Sequence, residues 1–368
     1  MQRQLERTIW IATIGIMAAG LVTLYSASQF SVRVTHKIFY DQLFMALIGL
    51  ALMFFLSRFD YKRFFDGANL LYWVTAVLLV LVLVLGRNIL GAKRWIEFGG
   101  INFQPSELAK FSLILILARY FSQRKNSFSS SSRGLWETLF QDLFSPLFLT
   151  LVLVLLIFKQ PDLGTAISLF FIFLVMLFLS GIRYRYFLSF VALILAVMPF
   201  FWHILKPYQK DRLLVFLNPN IDPLGAGYTI IQSKIAVGSG GLLGKGWLSG
   251  TQNQLNFLPE RHTDFIFSVV GEEWGLAGSL LVAFLFFVLV NCSFRIIQNT
   301  KDRFGFLAGV GIVSIIAFQV VINIGMVLGL CPVVGITLPL VSYGRSSFMV
   351  FVVMIGFLLS LNKKRMMF

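Results

Sequence analysis

The densest chemistry in the chain lies in Leu258–Ser268, where Glu260, Arg261, His262 and Asp264 stand directly ahead of a long apolar run. A carboxylate so placed can take a proton from an attacking hydroxyl, and cations beside it can neutralise an anionic leaving group. At the foot of a membrane helix this charge stays solvated, yet it faces any ligand with a polar head and a lipid tail. The expected chemistry is at a membrane surface, on a lipid-linked substrate. Asp264 is the candidate base. Its plain reading is a helix N-cap, since Thr263-Asp264 precedes an apolar helix, and the two roles are compatible. A helix N-terminus favours the ionised carboxylate and so lowers its basicity. Asp264 as a ligand of a divalent cation (Mg or Mn) is therefore the alternative to Asp264 as base.

A second charged stretch, Gly86–Lys110, holds Arg87, Lys93, Arg94, Trp95, Glu97, Glu107 and Lys110. Basic groups beside an interfacial indole suit an anionic head such as a pyrophosphate, although snorkelling and anchoring explain each of them singly. Glu272 and Glu273 fall two turns inside the apolar run after Asp264. An ionised carboxylate at mid-membrane costs about 2.5–3.5 kcal/mol, so the pair should face protein or water. It is either functional or neutralised by a buried base such as Lys110. Gln319 and Asn323 read as interhelical hydrogen bonders. His36, His203 and His262 are scattered, and neither they nor Cys292 and Cys331 show zinc-ligand spacing. The cysteines fall at opposite ends of neighbouring spans, which argues against a disulfide.

The elements that must position these residues are membrane helices. The chain of 368 residues is 58% hydrophobic and 13% charged, with 40 Phe, more apolar surface than a soluble core needs. A helix crosses a bilayer in about 20 residues. Ten spans are expected, at 9–28, 40–57, 69–86, 106–121, 143–158, 163–180, 186–205, 265–290, 304–330 and 338–361, in an all-α polytopic protein with a single membrane domain over 1–368. The first span reads as a retained helix, not a cleaved signal peptide. With the N-terminus inside, 17 of the 31 Lys and Arg fall on one face. The other face has 14, six of them in the long loop. This asymmetry puts both termini in the cytoplasm. Gln123–Arg133 is a polar cytoplasmic linker. The loop at 205–264 is extracytoplasmic, with turn signals at Asn218-Pro219-Asn220 and Asp222-Pro223, a short interfacial helix over Tyr228–Val237, and a bendable Gly238–Gly241.

Four blocks together carry a family resemblance. Gly91–Ile96 leads into Gln104–Lys110; Gln160–Ala166 lies between spans five and six; Leu258–Ser268 runs into Gly271–Gly275; and Pro339–Gly344 precedes span ten. The chain resembles the SEDS family of bacterial cell-wall glycosyltransferases over essentially its whole length. The Pro-Glu-Arg-His-Thr-Asp wording, with Arg261 where division-type members usually have Ala, is more similar to the RodA branch than to the FtsW branch.

The resemblance implies polymerisation of lipid II into glycan strands on the outer face of the bacterial cytoplasmic (inner) membrane during elongation. The linkage inverts and undecaprenyl pyrophosphate leaves. It implies a class B penicillin-binding protein as partner, among other elongation-machinery membrane proteins, and no nucleic acid. Asp264 matches the family's essential aspartate and Trp95 an important tryptophan. Glu107 and Lys110 match polar residues of its central cavity. In that reaction Arg94, Lys110, Arg261 and Arg345 are candidates for the pyrophosphate, and Trp95, Glu107 and Glu260 join them as substrate-binding residues. The rival readings are a lipid II flippase, a division- or sporulation-type polymerase, and a non-catalytic scaffold for wall enzymes. A flippase would need its head-group site at the bilayer midplane, whereas most of the distinctive charge here lies at one face.

Overall fold

The structure is a computed structural model, and it describes residues 2–29, 37–89, 92–98, 101–124, 143–225 and 227–363. Most of the linker Gln123–Arg133, and Gly91, lie outside the described residues. The helices are α1 (Gln2–Gln29), α2 (Lys37–Ser57), α3 (Lys62–Leu85), α4 (Pro105–Gln123), α5 (Ser145–Lys159), α6 (Leu163–Leu179), α7 (Tyr184–Ile204), α8 (Pro207–Leu217), α9 (Tyr228–Ser239), α10 (Thr251–Gln254), α11 (Ile266–Gln298), α12 (Arg303–Val327) and α13 (Arg345–Lys363).

Six of these, α1, α2, α3, α11, α12 and α13, are long and apolar enough to cross a membrane, and α5, α6 and most of α7 are shorter apolar helices. Helix is what lipid demands, because each backbone N–H and C=O finds its partner within the segment. The chain is a multi-pass membrane protein. Phe54, Phe55, Trp73, Leu85, Phe284 and Phe287 point outward from α2, α3 and α11, half or more exposed, as side chains facing lipid would.

The centre is α4, buried almost without interruption from Pro105 to Ala118, enclosed by α3, α6, α12 and α13. Pro105 starts it, where a missing N–H costs nothing. Helix α1 packs on α11, and α2 on α13.

Three features differ from the sequence expectations. The stretch after α3 is a three-stranded antiparallel sheet, β1 (Arg87–Ile89), β2 (Ala92–Phe98) and β3 (Ile101–Phe103), in the order β1-β2-β3. The last helix starts at Arg345, not near 338. Before it, Leu338–Gly344 forms a turn with Leu340 at φ 63°, and the Ser342 hydroxyl both donates to Thr263 O and accepts from Leu338 N. Helix α11 runs on to Gln298 and is broken at Gly275 (φ 64°, ψ −157°).

The break shapes the long loop. Lys245 N and Gly246 N donate to Glu272 O and Glu273 O, both at 3.0 Å, and Leu276 N and Ala277 N donate to Gly241 O and Leu242 O. The chain over 241–246 thus supplies the backbone partners that the interrupted helix lacks. Only glycine suits position 275: its φ/ψ is disfavoured for other residues, and a Cβ there would lie 2.4 Å from Gly244 N. The expected short helix appears as α9. It packs against α11 and is tied to the end of α12 by Ser233 Oγ donating to Val327 O.

Candidate functional site

Asp264 sits between α10 and α11, and its carboxylate does not cap α11. The cap position is Phe265, which has no side-chain cap bond. The capping carboxylate in this region is Asp162, whose Oδ1 accepts from Thr165 N at the start of α6. Asp264 is instead held through its backbone: Asn323 of α12 donates from Nδ2 to Asp264 O at 2.8 Å and to Ile336 O at 2.7 Å. Tyr343 N donates to His262 O. A Cβ on Gly335 would lie 3.4 Å from Asp264 Oδ2. The segment between α12 and α13 therefore forms one wall around the carboxylate.

The groups acting on that carboxylate come from separate elements. Burial and then the neighbouring Glu260 push its pKa up to about 6, against the pull of Arg212 on α8 and Arg94 on β2; Asp162 raises it further. The result is an aspartate more basic than a solvated one and still mainly ionised at neutral pH. A base matched in this way to its working pH is what proton abstraction from a hydroxyl asks for.

Arg94 is anchored by two carbonyls, Nε to Gln160 O at 3.2 Å and Nη2 to Pro161 O, so it is aimed at the turn before α6. Arg212 is exposed and donates to Val333 O at 3.3 Å. Asp162 is buried and accepts from Thr165 Oγ1 at 2.9 Å and from Ser106 Oγ and Gln104 Nε2 at 3.3 Å. Those bonds tie α6 to the head of α4. At the start of α6 the backbone of Gly164 packs tightly on the 334–336 segment, since a Cβ there would come 2.5 Å from Val334 O.

Arg94, Glu260 and Asp264 thus come together. Arg212 and Asp162 join them; in the sequence the first is only one of six basic residues in the long loop and the second only part of the Gln160–Ala166 block. The strand alternation of β2 sends half-buried Trp95 to the face opposite Arg94. Glu107 and Lys110 pair with each other inside α4 at 2.7 Å, and Lys110 Nζ lies 5.5 Å from the centre of the Phe351 ring. Arg345 pairs with Asp41 of α2 and lines a cavity of about 260 Å³ whose other walls are mostly apolar, among them Met45, Phe111 and Val353.

Arg261 has a different place from the one expected. It is buried, and its guanidinium is committed to backbone carbonyls: Nε to Ala27 O and Nη1 to Asn253 O, both at 3.0 Å. It fastens the end of α1 to α10. Beside it His262 is held down to about 4 by burial and by Arg261, so its imidazole is neutral at pH 7.

The Glu272/Glu273 pair is also resolved differently. Its cation is Lys245, at 2.7 Å from Glu272 Oε1, and not Lys110. Glu272 Oε1 also accepts from Thr251 Oγ1 and Gln252 N, while Glu273 Oε1 accepts from Ser26. Among the described residues both cysteines are free thiols, and no group of three or more His, Cys, Asp or Glu gathers for a metal. The carboxylate that acts most on Asp264 is Glu260.

The FtsW/RodA/SpoVE family model, described as "cell cycle protein", matches residues 6–367. The chain belongs to this family, the SEDS proteins. Peptidoglycan glycosyltransferase MrdB of Escherichia coli K12 is 38% identical over 364 residues, covering 99% of this chain and 95% of that protein. A chain from a solved peptidoglycan synthase complex, described as coordinating polymerization and crosslinking, superposes with a TM-score of 0.79 at 37% identity, over 97% of each chain. The crystal structure of Thermus thermophilus rod shape determining protein RodA superposes at 0.70 and 32% identity, covering 97% of this SEDS chain and 96% of that one.

Proposed function

We propose that this SEDS protein is a peptidoglycan glycosyltransferase that polymerises lipid II on the outer face of the bacterial cytoplasmic membrane during elongation. The observation that carries this reading is the setting of Asp264: a carboxylate raised to about 6, in the field of Arg94 and Arg212. Asp264 accepts the proton of the acceptor sugar's 4-hydroxyl as that oxygen attacks the donor's anomeric carbon. The bond from that carbon to the pyrophosphate breaks, and the α-linkage becomes β in one inverting displacement. Arg94 and Arg212 neutralise the departing pyrophosphate. In the alternative reading Asp264 and Glu260 would hold a divalent cation (Mg or Mn) in place of Asp264 acting as base, and the cation would supply this neutralisation. Arg345 joins the charged face to the apolar cavity, so the polyprenyl chain can lie there while its head is held at the mouth.

In the same proposal the chain is one membrane domain. Helices α1–α7 and α11–α13 cross the bilayer, both termini are cytoplasmic, and 205–264 is extracytoplasmic. This puts the site on the outer leaflet, beside a class B penicillin-binding protein that cross-links the product. The flippase reading has less support. Glu107–Lys110 and Glu272–Lys245 are neutralised pairs, so neither is a free charge to carry a head group across. The experiment is glycan synthesis by purified protein from lipid II in detergent, with and without the partner. Polymer from the wild type and none from a folded Asp264→Asn variant is the expected outcome; equal polymer from both would remove Asp264 from the mechanism.

A further inference from the structure

The break at Gly275 leaves a cavity of about 390 Å³ beside α11, away from Asp264, lined by Leu243, Trp247, Trp274, Leu281 and Glu273 among others. Glu273 is 1% exposed. Ser26 donates to its Oε1, and the Leu248 backbone and the Asn253 amide also bear on the carboxylate, but Oε2 has no hydrogen-bond partner. Its neighbour Glu272 has taken the available cation, since Lys245 is bound to Glu272 and to Thr251. The indole N–H of Trp274 also has no acceptor. Two indole rings line the cavity, and the unpartnered carboxylate oxygen and N–H donor lie covered at its wall, so a ligand reaches them through a side-chain shift.

The complement of that set is a cation next to an anionic acceptor. A primary ammonium donates hydrogen bonds to a carboxylate and is attracted by indole faces, whereas a quaternary ammonium has no N–H to donate. A phosphate one short linker away can accept from Trp274. The rim is apolar and exposed, with Leu243 at 83%, Trp247 at 52% and Leu281 at 51%, so a ligand entering there brings acyl chains with it. We propose that this cavity is a head-group site for an amine-bearing phospholipid, with Glu273 as the acceptor of its ammonium and Trp247 and Trp274 as its walls. A lipid held there braces the loop against the broken helix.

The test uses the full chain, purified in detergent and stripped of lipid, with native mass spectrometry as the readout of lipid retention. Phosphatidylethanolamine is titrated against N-acetylated phosphatidylethanolamine, phosphatidylcholine and phosphatidylglycerol with the same acyl chains. The expected result is about tenfold tighter retention of phosphatidylethanolamine than of the other three, as a charge-assisted bond would give. Glu273→Gln should abolish that preference. Trp247→Leu, at a half-exposed position, should lower it about threefold or more, and it keeps the test readable if Glu273→Gln does not fold. Equal retention of all four lipids overturns the proposal, as does an undiminished preference in whichever variant folds. Free ethanolamine displacing the lipid as well as the lipid displaces itself would overturn the assignment to a membrane lipid.

Discussion

Asp264 and Arg261 are three residues apart and do different work. The raised carboxyl of Asp264 makes a pH prediction whose sign is fixed. A base must be ionised to act, so polymerisation should fall as pH drops through about 6 and level off above it; His262, already neutral, adds no second step in that range. Asp264→Asn should lower turnover by ~10²–10⁴-fold without lowering the unfolding temperature. Arg261→Ala should do the reverse. It removes a buried guanidinium from two carbonyls, so stability should drop by about 1.5–3 kcal/mol, seen as a lower melting temperature in detergent. Arg94→Ala should slow polymerisation more than Lys301→Ala does. The Leu258–Ser268 motif made this neighbourhood legible in the sequence. The separate roles were not legible, because residue type does not tell whether a guanidinium faces a ligand or a carbonyl. Asp162 was overlooked for a related reason: its bonds to Gln104 and Ser106 come from residues far away in the chain.

At the scale of elements, the membrane helices were legible because lipid imposes one simple rule, a long apolar run folded as helix. The strands β1–β3 were not, being three to seven residues long and mixed in polarity. The break in α11 was hidden as well, since Gly275 in an apolar run reads as ordinary helix until its hydrogen-bond partners at Gly241–Gly246 are known. Two predictions belong here. Gly275→Ala should push the loop off the helix through its contact with Gly244 N, destabilising by at least 2 kcal/mol on the order of backbone strain. Proteolysis of the 240–250 segment should then speed up. Lys245→Ala should cost on the order of 3 kcal/mol, because it strands a buried Glu272. Adding Glu272→Gln should restore most of that loss in a thermal melt.

Across the whole molecule, contacts join the heads of α4 and α6 through Ser106 and Asp162, those of α2 and α13 through Asp41 and Arg345, and α12 to the chain before α11 through Asn323 and Asp264, and Arg94, Arg212 and Glu260 act on Asp264 there. A polymerase working on one leaflet needs that concentration of charge; a transporter needs its site reachable from both. Lipid II supplied only on the leaflet that faces Asp264, in vesicles holding the protein and its cross-linking partner, separates the two directly. Glycan strands should form there with the wild type and not with Asp264→Asn, with no lipid II required on the other leaflet. If no polymer forms, yet labelled lipid II crosses the bilayer faster with the protein than without it, the polymerase account is contradicted.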